Sequence, residues 1–263
     1  MFDNSVLNVN NINFTINNKK ILENISFKIY EKDVLCIIGP NGSGKSTLIK
    51  ILTQEIEPSS GIVYFNNKSL NQWNQNNIAK KRAVLSQSNN LNFPFKVIDI
   101  IKMGRYPFKE KSNKSLDTDI SKELINIFEL NKILKQNYTT LSGGEMQRVH
   151  LARVFAQIWS ENNYTEKLII LDEPTSFLDI KHQQALFKFI KKLNINGLTI
   201  IMVLHELNHS ILNSNKILML KDAKQICFGD TKEIMSAQNI SKCFDIKVDI
   251  LNVNNNNHII YKN

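Results

Sequence analysis

The sequence predicts an α/β fold in which helices cover a mostly parallel sheet. A glycine-rich segment stands between an apolar strand at 34–38 and a helical pattern that begins near Leu48. Strand-sized apolar runs then alternate with helical patterns, which is the order that builds a parallel sheet. The expected strands of this part are 167–171, 198–204 and 216–220, and the expected helices are 147–159 and 181–193.

An antiparallel β subdomain is expected at the N-terminus. Residues 5–30 alternate between apolar and polar side chains around a turn at 17–20, which predicts two strands with one buried face. A third strand is expected at 62–65, after a turn at 58–61.

A helical subdomain is expected in the middle of the chain, over about 90–155. Helical patterns at 96–106 and 118–135 predict its first helices. Near the C-terminus, the Asn-rich stretch 252–257 predicts a loop before a last short strand.

The glycine-rich segment reads GPNGSGKST and has the spacing of a phosphate-binding loop. Its glycines let backbone N–H groups turn toward a polyphosphate, and the helix that follows points its positive end at the same anion. Lys45 can reach the β- and γ-phosphates, and the Ser46 hydroxyl can ligate Mg²⁺. By chance, such a match arises in roughly one chain of this length in a hundred. The residues of this phosphate loop are Gly39, Pro40, Asn41, Gly42, Ser43, Gly44, Lys45, Ser46 and Thr47.

Two adjacent carboxylates, Asp172 and Glu173, end the strand predicted at 167–171. Acids at a strand end are often only part of a solvated turn. Beside a phosphate loop, however, Asp172 can hold Mg²⁺ and Glu173 can act as general base toward the attacking water.

A second helix N-terminus with small residues is predicted at 142–144, where the sequence reads SGG. It offers a second anion site, although an ordinary glycine-rich helix start has the same pattern. Because one chain does not need two phosphate sites, we expect two copies to meet head to tail, with Ser142 of one facing the nucleotide of the other. His205 and Gln87 each follow a predicted strand. By itself, neither residue is strong evidence of a catalytic role.

Composition and charge exclude several classes of protein. The net charge of +9 comes from lysines spread along the chain rather than from a basic stripe, so no nucleic-acid partner is expected. No apolar run approaches the length of a membrane span, and the N-terminus lacks the pattern of a secretory signal. Three scattered cysteines favour a reducing cytoplasm.

Taken together, these motifs resemble the ATP-binding subunit of ABC transporters. The phosphate loop, a glutamine, LSGGE, LIILDEP, SFLD and a late histidine follow one another in the order of that family. The resemblance implies a P-loop NTPase core, a helical subdomain that carries the LSGGE signature, and a single nucleotide-binding domain over 1–263. It also implies an ATPase that binds ATP and Mg²⁺ and is coupled to transport.

The resemblance assigns further roles by position. Phe14 resembles the aromatic residue that stacks on adenine, and Gln87 resembles the glutamine that touches Mg²⁺ and the attacking water. Asp179 resembles the acid of the loop that bridges two subunits, and His205 the histidine that contacts the γ-phosphate. The signature segment that closes over the other subunit's ATP comprises Leu141, Ser142, Gly143, Gly144 and Glu145. This sequence departs from the family pattern at Phe177 and Met146.

Flanking residues narrow the resemblance to importers. The stretches NFPF at 92–95 and MGRYP at 103–107 resemble importers of iron chelates, cobalamin and haem, and residues around the signature resemble the haemin importers most. The implied partners are a second copy of the chain, a membrane permease and, indirectly, a substrate-binding protein. The implied location is peripheral, at the cytoplasmic face of the inner membrane. The alternatives are a siderophore or cobalamin importer and, from another class, a cytosolic ATPase switch acting on the ribosome or DNA.

Overall fold

The computed structural model describes residues 4–86, 91, 93–111, 114–161, 163–253 and 256–262. The strands, in chain order, are β1 (Ser5–Ile16), β2 (Lys19–Tyr30), β3 (Val34–Ile38), β4 (Ser60–Phe65), β5 (Lys68–Ser69), β6 (Arg82–Leu85), β7 (Leu168–Asp172), β8 (Thr199–Val203), β9 (Lys216–Lys221), β10 (Lys224–Asp230), β11 (Val248–Val253) and β12 (Asn256–Tyr261). The α-helices are α1 (Lys45–Leu52), α2 (Gln75–Ala79), α3 (Val97–Met103), α4 (Lys114–Ile127), α5 (Gly143–Ile158), α6 (Ile180–Ile195), α7 (Leu207–Asn213), α8 (Thr231–Ile234) and α9 (Ala237–Phe244).

A ten-stranded sheet organises the molecule, in the order β5-β4-β1-β2-β10-β9-β3-β8-β7-β6. The five strands from β9 to β6 run parallel, whereas β5, β4, β1 and β2 pair antiparallel. A single parallel bridge between Lys224 and Glu23 joins the two parts. The predicted α/β fold with an antiparallel N-terminal part is therefore confirmed. The order also brings the loops after β3, β7 and β8 together at one edge of the sheet.

The central strand β3 is buried on both faces, because apolar layers cover the sheet from both sides. Val34, Cys36 and Ile38 point into one layer, and Leu35 and Ile37 into the other. This explains why 34–38 is an uninterrupted apolar run rather than an alternating one. Burial raises the pKa of the Cys36 thiol to about 12, so Cys36 is a core side chain, as the sequence predicts.

Several boundaries differ from the predicted ones. The helix expected at 118–135 is α4, which ends at Ile127, and Glu129 then adopts a positive φ of 52° that a helix cannot continue through. The loop expected at 252–257 is instead part of a β-hairpin formed by β11 and β12, whose tip lies outside the described residues. The Asn17–Asn18 turn is confirmed, since both residues adopt the positive φ that a two-residue hairpin requires.

Three phenylalanine rings join α5 to its neighbours. The Phe155 ring is fully buried, and its centroid lies 4.9 Å from that of the Phe189 ring of α6 and 5.8 Å from that of the Phe128 ring.

Phe155→Ala leaves a cavity at this junction, so we expect the free energy of unfolding to fall by about 3–5 kcal/mol in urea titration. The control Phe93→Ala, at a side chain that is 68% exposed, should change it by less than about 0.5 kcal/mol. A loss below about 1 kcal/mol for Phe155→Ala would contradict the packing.

Candidate nucleotide-binding site

The phosphate loop connects β3 to α1, and two of its glycines are required by close contacts. A Cβ on Gly39 would lie 2.1 Å from the Leu220 carbonyl oxygen. Gly44 adopts a φ of 102°, and a Cβ there would lie 2.7 Å from the Ile21 carbonyl oxygen. The loop is therefore wedged between β9 and β2, with the N-terminus of α1 facing the space above it.

The Lys45 ammonium lies inside the curve of the loop. Its Nζ donates hydrogen bonds to the carbonyl oxygens of Gly39, at 2.7 Å, and Pro40, at 2.9 Å. Burial lowers the pKa of Lys45, and the nearby charges of Glu173 and Asp172 oppose that shift. A cation held in this way can exchange two neutral acceptors for the charged oxygens of a phosphate.

The two carboxylates at the end of β7 occupy different environments. Asp172 is only 6% exposed, and burial together with the charge of Glu173 raises its pKa to about 6. Glu173 adopts a positive φ of 51° and turns toward the cleft. There its Oε1 lies 2.6 Å from Nε2 of His205, which follows β8, and its Oε2 accepts a hydrogen bond from the Ser176 hydroxyl at 3.2 Å. This places an oriented carboxylate beside an imidazole at the cleft, where the carboxylate can act as a general base toward a water molecule.

A cleft of about 660 Å³ opens over the loop. It brings together many of the residues predicted from the sequence, namely Asn41, Gly42, Gly44, Lys45, Ser46, Thr47, Glu173 and His205. Its other lining residues are Lys19, Lys20, Ile21, Asp222 and Ala223, none of which the sequence singles out as a site residue. The sequence predicts a turn that ends at Lys20 and assigns no role to the other three residues, and sheet pairing brings all five to the loop.

Several predicted residues are not part of this lining, namely Phe14, Gly39, Pro40, Ser43, Asp172, Asp179 and the signature segment. Phe14 pairs with Leu22 across β1 and β2 and packs, half-buried, against the apolar layer under the phosphate loop. Gln87 lies outside the described residues. The role of each remains a prediction.

The signature segment forms the start of α5, away from the cleft lining. Ser142 caps the helix: its Oγ accepts from the Glu145 N–H, and the Glu145 carboxylate accepts from the Ser142 N–H at 2.9 Å. Leu141 is buried beneath this turn. A Cβ on Gly143 would touch the Phe177 ring at 3.4 Å, and one on Gly144 would lie 2.8 Å from the Phe177 carbonyl oxygen. The segment therefore rests on the loop that follows Glu173.

Asp179 ends that loop and caps α6. Its Oδ1 accepts from the His182 N–H at 2.8 Å and lies 2.7 Å from the His182 Nδ1, and these contacts lower the pKa of Asp179. Phe177, two residues earlier, is 80% exposed and adopts a φ of 63°.

Within the described parts of the chain, no helix is long and apolar enough to cross a membrane.

The chain is similar to known ATP-binding proteins over nearly its whole length. It is 36% identical to the hemin import ATP-binding protein HmuV of Aliivibrio fischeri over 241 residues, which cover 92% of this chain and 91% of that protein. With the protein of the same name from Escherichia coli O157:H7, it is 32% identical over 247 residues, or 94% of each chain.

Solved structures and a family model agree with these similarities. A metal-chelate type ABC transporter in an inward-facing conformation superposes with a TM-score of 0.77 at 26% identity, covering 99% of this chain and 98% of that one. A dimeric bacterial ABC transporter cassette gives 0.73 at 26% identity, covering 86% and 98%. The family model described as ABC transporter matches residues 22–176, more than half of the sequence. The chain therefore belongs to the ABC transporter family, in which it is an ATP-binding subunit.

Proposed function

We propose that this chain hydrolyses ATP to drive an importer of haemin or a related iron chelate. The observation that carries the proposal is the pairing of Glu173 with His205 at 2.6 Å, in the cleft that also contains Lys45. A protein that only bound nucleotide would not need an oriented carboxylate there. The cargo is inferred from relatives that are named for hemin import and from a structure described as metal-chelate type.

The phosphates of ATP would lie along the phosphate loop, in contact with its N–H groups and with Lys45. Mg²⁺ would be held by the Ser46 hydroxyl and by Asp172, with Gln87 as a further ligand. The donor set fits this ion, because oxygen ligands suit Mg²⁺. Burial, together with the charge of Glu173, raises the pKa of Asp172, and a bound cation would offset both effects. When bound, the ion supplies charge neutralisation between the β- and γ-phosphates.

Hydrolysis would depend on the position of the attacking water. Glu173 is fixed by the Ser176 hydroxyl and by His205, so one carboxylate oxygen can accept a proton from water in line with the γ-phosphate. His205 would then contact the γ-phosphate directly. Catalysis of this kind rests on position and electrostatics, since the protein forms no covalent intermediate.

A head-to-tail homodimer would complete each site. The signature segment does not line the cleft of its own chain, although it has the helix N-terminus expected of an anion site. A second copy turned head to tail brings that segment to the γ-phosphate, with Asp179 bridging the two copies. A dimeric cassette with the same fold supports this arrangement.

The surface for the permease would lie near residues 88–110. Among the described residues of this region, Phe93, Phe95, Met103 and Tyr106 expose large apolar side chains. Exposed apolar side chains of this kind suit contact with a cytoplasmic loop of a membrane subunit. The chain would thus be peripheral at the cytoplasmic face of the inner membrane and would reach the substrate-binding protein only through the permease.

Ser142→Arg tests the dimer. A long cation at this cap would clash with the partner's phosphate loop and Lys45, so we expect a monomer that binds ATP but has lost at least about 95% of its turnover. Sedimentation velocity with ATP measures the association. Ser115→Arg, on α4 of the same subdomain, is the control and should leave association unchanged. ATP-driven dimerisation of Ser142→Arg at wild-type strength would refute the head-to-tail contact.

Reconstitution with the cognate permease tests the cargo. We expect ATPase activity in liposomes to rise when a haemin-loaded binding protein is added on the outside. The same binding protein without haemin is the control, and carriers loaded with a ferric siderophore or with cobalamin are the competing cargoes. Stimulation by the siderophore-loaded or the cobalamin-loaded carrier, and not by the haemin-loaded one, would assign that cargo instead of haemin.

A further inference from the structure

Helix α7 begins two residues after His205, so the placement of this short helix governs the placement of the imidazole. Only Leu204, His205 and Glu206 separate the end of β8 from the helix, and Leu204 is buried. A connection this short cannot absorb a shift of the helix without moving His205, whose Nε2 lies 2.6 Å from Oε1 of Glu173. The contacts that hold α7 therefore also hold the imidazole beside the carboxylate.

Two contacts join α7 to the parallel sheet and to α6. The Ser210 hydroxyl is fully buried; it accepts from the Cys36 thiol of β3 at 3.3 Å and donates to the Glu206 carbonyl at 3.0 Å. The His209 ring meets the Phe187 ring of α6 edge to face, with 5.3 Å between centroids. These contacts fix one side of α7 against the strand that leads into the phosphate loop.

A third contact ties α7 to the C-terminal hairpin of β11 and β12. The Asn208 Nδ2 donates to the Ile259 carbonyl oxygen at 3.1 Å, and the Ile259 N–H donates to the Asn208 Oδ1 at 2.7 Å. Both backbone groups of Ile259 thus point away from β11, as they do at every second residue of a two-stranded sheet. The Asn208 amide takes the place that a third strand would have at the edge of β12.

The hairpin is itself anchored, so it can act as a fixed support for α7. Val248 of β11 and Ile259 of β12 are buried in the same apolar layer as Leu207 of α7 and Ile240 of α9. Apolar packing is non-directional and leaves the helix free to slide against the hairpin. Two directional hydrogen bonds to one backbone residue remove that freedom.

We propose that Asn208 is a positioning residue, which holds His205 beside Glu173 by fixing α7 to the C-terminal hairpin. The inference rests on the proposed function, in which His205 contacts the γ-phosphate. Asn208 does not line the cleft, whereas His205 and Glu173 do. Loss of the contact between Asn208 and Ile259 therefore lowers the rate of hydrolysis and leaves nucleotide binding in place.

Asn208→Leu tests this role, because leucine keeps the volume of the side chain but cannot pair with Ile259. We expect kcat for ATP hydrolysis to fall about tenfold, since a small misplacement of a catalytic group is costly. KM should stay within about twofold of wild type. Asn208→Ala removes the same amide without adding apolar volume and should give the same result, so the test does not depend on how leucine packs.

Asn213→Leu is the matched control. The Asn213 amide also lies on α7, but it donates within that helix, to the His209 carbonyl at 2.9 Å, rather than to the hairpin. The control should keep the wild-type kcat. A wild-type kcat in both Asn208 variants, or an equal loss in Asn213→Leu, overturns the proposal.

Spectra of the chain labelled with ¹⁵N-histidine test the position of His205 independently of turnover. Its side-chain signal, assigned by its absence in His205→Ala, should shift in Asn208→Leu and stay in place in Asn213→Leu. An unchanged His205 signal in Asn208→Leu also overturns the proposal. If wild type hydrolyses no ATP, the proposed function fails, and the spectra still decide whether Asn208 positions His205.

Discussion

Glu173→Gln is expected to stop ATP turnover while ATP binding survives. The substitution keeps the shape of the side chain and its contact with Ser176, but an amide cannot take the proton of the attacking water. Loss of a general base typically costs roughly 10²–10⁴ in rate, so phosphate release should fall by at least two orders of magnitude. Since the phosphate loop is untouched, the dissociation constant of ATP should stay within about threefold of wild type.

The same variant should accumulate as an ATP-bound dimer. Without hydrolysis, nothing separates the two copies once each signature segment has closed over the partner's phosphates. Size-exclusion chromatography with ATP reports this state directly. Glu57→Gln is the matched control, because Glu57 is an exposed carboxylate after α1 that lies outside the cleft. Turnover near the wild-type rate in Glu173→Gln would remove Glu173 from the role of base.

Lys45→Ala is expected to abolish measurable nucleotide binding. Lys45 is the cation that the loop itself encloses, and its removal leaves the β- and γ-phosphates without a charged donor. Charge-assisted hydrogen bonds contribute about 1.5–3 kcal/mol each, so losing two of them should weaken ATP binding by at least about a hundredfold. Isothermal titration with ATP measures this loss.

The fold should not change with that substitution. The two carbonyl oxygens that Lys45 contacts belong to the loop beside the cleft, where water can replace the ammonium. Lys50→Ala, five residues later on α1 and exposed, is the control for removing a lysine from this helix and should bind ATP normally. Tight ATP binding by Lys45→Ala would refute the assigned phosphate contact.

Most elements near the phosphate loop could be predicted because neighbouring residues determine them. The strand at 34–38 could be predicted from its apolar side chains alone, and the positive φ of Gly44 from the freedom of glycine to adopt it. The Ser142 cap likewise depends on Glu145, three residues later. The predicted end of α4 was wrong because a single residue, Glu129, terminates it in a conformation that propensity does not reveal.

By itself, the sequence predicted a glycine loop suited to a triphosphate, with carboxylates at the end of a nearby strand. Each of these features consists of consecutive residues, so local chemistry is enough to identify it. Only the tertiary structure decided that Lys19 and Asp222 form the far wall of the cleft and that Phe14 packs below it. The physical reason is that strand order and register depend on hydrogen bonds between residues about two hundred positions apart, such as Glu23 and Ala223.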